Sequence, residues 1–130
     1  MEASVDQGVL EGLRLRLFQL YVMFGSPTSD WDIGSPRVQE VLAEHVAFLR
    51  ELERCGTMFM GGPFRAQDYE WDGSGMIAVR AASLAEAQAL AHQDPLYTAG
   101  LRSYEVRGWQ LNEGRLVLTI DLDSNRVDVA

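Results

Sequence analysis

Histidine is scarce in this chain, with His45 and His92 the two imidazoles available for acid–base work near neutral pH. His45 stands three residues after Leu42 and four before Leu49, on the apolar stripe of any helix through this segment. Two readings are open there: a core histidine satisfied by a backbone carbonyl, or a general acid/base whose ring lines a cavity. Either way the ring needs partners, because burying it unpaired costs on the order of 1–3 kcal/mol. Asp94 precedes Pro95, the pattern of a helix N-cap. Its second reading is a carboxylate that reaches His45 and fixes which ring nitrogen holds the proton. His92 reads as the end of a helix, where the last carbonyls favour it.

Around these lie residues that suit a binding surface. Gly61-Gly62-Pro63 either admits a ligand close to the backbone or turns a strand end into a loop. Phe64, Tyr69, Trp71 and Tyr97 are packing aromatics or an aromatic wall for a planar substrate. Arg65 is a solvated surface residue or a holder of a substrate carboxylate. With two histidines and no paired motif, no metal site is expected. Asp121-x-Asp123-x-Asn125 imitates the start of a calcium loop, but Arg126 stands where that loop needs glycine. Cys55, the one cysteine, reads as a buried helix-end residue and leaves no intramolecular disulfide to form.

The elements that must position these groups follow from periodicity. Leu13 to Phe24 alternates as a strand whose apolar phase shifts midway, the mark of a bulge or of burial on both faces. Ser35-Pro36 opens a helix with a stripe of Val38, Val41, Leu42, His45, Phe48, Leu49 and Leu52, ended by Gly56. Thr57–Met60 and Met76–Val79 read as strands on either side of a polar loop that turns at Asp72-Gly73. Ser83 and Glu86 match a capping box and start a second helix, and Asp94-Pro95 starts a short third one stopped near Gly100. Tyr104–Leu111 is a further strand, and Leu116, Leu118 and Ile120 alternate in an extra one.

The fold class is therefore α+β, a ferredoxin-like βαββαβ order with an extra C-terminal strand. Residues 1–12 read as a flexible leader, 13–122 as a single domain and 123–130 as a polar tail. Middle strands apolar on both sides predict a covered second sheet face, most economically by another copy of the chain.

Composition narrows the function. Eleven basic residues, all arginine, oppose 19 acidic ones for a net charge of −8, which argues against nucleic acid and anionic membranes as partners. The lack of lysine removes Schiff-base chemistry. An apolar share of 47% supplies a core, but no apolar run approaches the ~18 residues a membrane span requires. A cytoplasmic location is the expectation, since the start of the chain has no signal-peptide pattern.

The segment His45-Val-Ala-Phe-Leu-Arg-Glu-Leu-Glu-Arg-Cys-Gly56 with Met60-Gly-Gly-Pro-Phe64 resembles the YCII-related family. Gly75-Met-Ile-Ala-Val, Ser83-Leu-Ala-Glu-Ala87, Asp94-Pro-Leu-Tyr97, Gly100-Leu101 and Trp109 extend the match from about residue 15 to residue 111. The resemblance implies a dimeric α/β barrel and an active-site pair mapping onto His45 and Asp94. It also implies a cofactor-independent activity on a small molecule, since a characterised relative dehydrochlorinates a chlorinated hydroxyquinol. A non-catalytic dimeric ligand-binding or assembly module of the same fold is the alternative. The leader, the long 25–36 connection and the extra strand depart from short family members, and substrate identity does not transfer across them.

Overall fold

The computed structural model describes residues 19–68, 70–121 and 126–129, with backbone alone from 118 onward. Leu13 to Phe18, the start of the expected first strand, lie outside the described residues, as do the leader and Tyr69.

The chain divides at Gln110. In Gln19–Gln110 the order is β1 (Gln19–Pro27), α1 (Pro36–Arg54), β2 (Met58–Pro63), β3 (Gly75–Val79), α2 (Leu84–Ala91), α3 (Pro95–Thr98) and β4 (Arg102–Gln110). The four strands form one antiparallel sheet in the order β2-β3-β1-β4, the ferredoxin-like arrangement. β1 pairs with β4 in unbroken register from Gln19↔Gln110 to Pro27↔Arg102, so there is no bulge in the described part of β1. In that part both faces are buried, Leu20 and Val22 on one and Met23 and Gly25 on the other, while the expected phase shift at Leu17–Phe18 lies outside the described residues. The register irregularity lies instead in β2, between Met58 and Met60.

Helices cover one sheet face. Leu52 of α1 with Ala87 and Ala91 of α2 packs on Met23, Ile77 and Val79 from the two central strands. A second cluster joins Val38 of α1 to Leu96 and Leu101, which bracket α3 and the start of β4. Local signals account for the helix starts. Pro36 sits in the first turn of α1 after an extended Ser35, and Ser83 Oγ accepts the Glu86 amide at the start of α2. Cys55 departs from expectation. α1 ends at Arg54, so Cys55 leaves the helical period as the C-cap and is exposed, its Sγ 3.1 Å from Thr57 Oγ1.

Beyond Gln110, β5 (Leu118–Asp121) and β6 (Arg126–Val129) form an antiparallel hairpin. A strand thus occupies 126–129 where the sequence reading expects polar tail. Val127 and Val129 alternate with Arg126 and Asp128, a period of two too short to stand out among charged neighbours. Among the described residues, no helix is long and apolar enough to cross a membrane.

Candidate active site

The stripe of α1 that seats Val38 and Leu52 in the core turns His45 inward between them, and its side chain is only 8% exposed. From the other side comes α3, a four-residue helix set by local rules. Asp94 is its N-cap, Pro95 follows, and Gly100 at φ +76° returns the chain toward β4. Asp94 is fully buried, and its Oδ1 accepts the Leu96 amide at 2.9 Å. The same Oδ1 lies 2.8 Å from His45 Nδ1. One carboxylate thus caps a helix and holds an imidazole.

Tyr104, from β4, donates its hydroxyl to Asp94 Oδ2. Burial alone would raise the Asp94 carboxyl. The bonds and charge of His45, helped by Tyr104 and the Leu96 amide, outweigh it and hold the group below its ordinary value of 3.8. Asp94 is therefore an anion at neutral pH, and an anion at Oδ1 fixes the proton of neutral His45 on Nδ1. The other nitrogen, Nε2, bonds to no described residue. Burial first, then the adjacent Asp94 charge, pushes the Tyr104 phenol up, so it remains a donor.

His45 lines a cavity of about 500 Å³, within the size range of small-molecule sites. Leu42, Val46 and Leu49 of α1 form one wall. Met58, Gly61, Gly62 and Pro63 of β2 with Met76 and Ile77 of β3 form another, and Trp71 and Arg65 stand on the connecting loop. Gly75 belongs to this wall by necessity, since a Cβ there would lie 2.8 Å from the Gly62 carbonyl oxygen. Among the described residues no three His, Cys, Asp or Glu side chains converge to hold a metal ion.

The structure therefore brings His45 and Asp94 together, with Gly62, Pro63 and Arg65 on the same cavity. Phe64 and Tyr97 do not line it. Phe64 is 42% exposed, its amide tied to Ser74, and Tyr97 stacks on His92 with ring centroids 4.3 Å apart. The physical reason is α3 itself, whose Asp94 and Leu96 point into the core and leave Tyr97 facing His92. Trp71 is the aromatic that reaches the cavity, braced edge-on by Trp31 at 5.3 Å.

Sequence reasoning missed Tyr104 and Arg102. Arg102 is buried, lines the cavity, and places Nη1 3.8 Å from Asp94 Oδ2. The available signal was period two: Arg102, Tyr104 and Val106 share the inward face of β4, while Ser103, Glu105 and Arg107 face outward. The strand begins at Arg102, two residues before the Tyr104 start expected from the sequence, and those two residues bring Arg102 into the period.

No curated protein matches the chain. A solved structure of similar fold is 5-chloro-2-hydroxyhydroquinone dehydrochlorinase from Burkholderia phenoliruptrix, in complex with 2,5-dihydroxybenzoquinone. Its TM-score is 0.55 at 24% identity, over 69% of this chain and 92% of that one. The model of the YCII-related domain matches residues 20–110, which takes in every helix and strand that builds the cavity save the first residue of β1. On that match, the chain belongs to the YCII-related domain family.

Proposed function

We infer that this protein is a cofactor-independent enzyme that moves a proton on a small organic substrate, with His45 as general base or acid. The observation that carries the reading is the buried 2.8 Å bond from His45 Nδ1 to Asp94 beside a ligand-sized cavity. With Nδ1 engaged, Nε2 is the atom at which a proton is taken or returned. Asp94 sets the tautomer and balances the charge the ring gains, without accepting the proton itself. Leu49, Met58, Ile77 and Trp71 supply apolar walls for a planar ring, and the backbone of Gly62 and Pro63 lets it lie close.

The Burkholderia protein of similar fold suggests one reaction of this type. In a dehydrochlorination the substrate proton passes to Nε2, its electron pair forms a new π bond, and chloride leaves the neighbouring carbon. Isomerisation or lactone chemistry would use the same base and return the proton to another atom. A cytoplasmic setting belongs to the reading, since a single cysteine gives an oxidising compartment no intramolecular disulfide to form.

We also propose that two copies of the chain pair through the sheet face away from the helices. Leu20, Val22 and Ala78 on that face are already buried in one chain. The ground left for a partner is a shallow hollow of about 240 Å³ formed by Val22, Phe24, Met76, Arg107, Gly108 and Trp109.

Chloride release from 5-chloro-2-hydroxyhydroquinone, with a panel of lactones and quinols, tests the chemistry. Replacing His45 with Gln is expected to lower turnover about 10²–10⁴-fold while leaving the fold intact. Equal turnover by the two proteins overturns the reading. Binding without turnover on any panel member favours the ligand-binding module instead.

A further inference from the structure

Arg102 opens β4 with its side chain 4% exposed, and a guanidinium taken out of water must find compensation for its charge and donors. Its place is built. A Cβ on Gly25 would lie 2.6 Å from Arg102 Cδ and 2.9 Å from Nε, so the stem crosses β1 where no side chain fits. Nη2 donates to the Gly73 carbonyl and Nη1 to the Tyr104 hydroxyl at 3.2 Å. Compensation nevertheless stops short. Nε has no acceptor among the described residues. Asp94, at 3.8 Å, is beyond hydrogen-bond reach and already accepts from His45, Leu96 and Tyr104.

Charge arithmetic gives this a direction. With His45 neutral, Arg102 and Asp94 cancel in net charge. The Asp94 oxygens are nevertheless taken by His45, Leu96 and Tyr104 while Arg102 keeps an unmet donor, so a local preference for an anion exists before the ring is protonated. Once His45 holds a proton, the buried cluster carries one net positive charge, and a negative oxygen in the cavity restores balance. Glu53 and Arg65 also line the cavity but are exposed, where water screens them. The chain as a whole, at −8, repels anions, so selecting one requires a local cation in a low-dielectric wall.

We propose that Arg102 makes this cavity selective for a planar oxyanion, a substrate whose carboxylate, phenolate or enolate oxygen lies on the Arg102 side of His45. The proposal rests on the proton-transfer reading for its place in a reaction, but charge selection is measured without turnover.

The probes are 4-hydroxybenzoate and 4-hydroxybenzamide, alike in shape and one charge apart, titrated by calorimetry with the full chain. The wild type is expected to bind the anion about tenfold more tightly than the amide. Arg102→Met, its fold checked by near-ultraviolet circular dichroism, is expected to bring the two within about twofold, and Arg65→Met to keep the preference. A wild type that binds both alike, or fails to bind the anion, overturns the proposal. So does a preference lost in Arg65→Met, a result that decides the matter even if Arg102→Met does not fold. His45→Gln is expected to keep the preference. Normal turnover in that variant with preference intact would remove the proton-transfer reading and leave the anion site standing.

Discussion

Asp94 serves as helix cap and imidazole partner at once, and the ionised form serves both more strongly than the protonated one. The folded carboxyl sits below its ordinary 3.8, so the unfolded chain binds more protons across the interval between the two values. Stability from this group is therefore complete above about pH 4 and is lost as pH falls through the folded value. Urea denaturation across the acid range is expected to show this loss, and Asp94→Asn to flatten it. Tyr104 has the opposite sign. Its folded phenol is raised above the ordinary 10.0, so its contribution is complete below that value and is lost at higher pH. Tyr104→Phe is expected to remove that alkaline loss, read by urea denaturation at pH 10 and above. An acid limb unchanged in Asp94→Asn would mean that other carboxylates govern it.

At the scale of elements, a single loop position ties the cavity together. Gly73 has φ +95°, and a Cβ there would fall 2.5 Å from the Trp31 ring. Its carbonyl accepts from Arg102, and the loop on which it sits presents Trp71 to the cavity. Gly73→Ala combines backbone strain with a clash and is expected to cost about 1–3 kcal/mol in thermal or chemical unfolding. Near-ultraviolet circular dichroism should change with it, because the Trp31–Trp71 edge contact loses its geometry. An alanine variant with wild-type stability and spectrum would show that the loop is not held by this turn.

For the whole molecule, the outer sheet face is the ground on which the proposed homodimer rests. A homodimer predicts a sedimentation mass of two chains, reduced to one by Trp109→Glu. Trp109 is 40% exposed beside the outer hollow, so burying a carboxylate there is costly in a dimer and cheap in a monomer. A wild type that sediments as one chain at all concentrations would remove the dimer from the reading.

Legibility followed the range of the physics involved. The helix from Pro36, the capping box at Ser83, the N-cap at Asp94 and the turn at Gly73 are near-neighbour effects, and periodicity within a few residues exposes them. His45 was legible as an inward residue for the same reason. The partners of Asp94 were not, beyond what family resemblance implied: His45 lies 49 positions away and Tyr104 lies 10 away, joined through packing that local spacing does not encode. Arg102 was hidden most completely. A basic residue at a strand start reads as solvated, and its burial depends on a glycine across the sheet and a carbonyl from a distant loop. Local propensity names the elements. Long-range packing chooses which charges are taken out of water, and there the chemistry of this cavity resides.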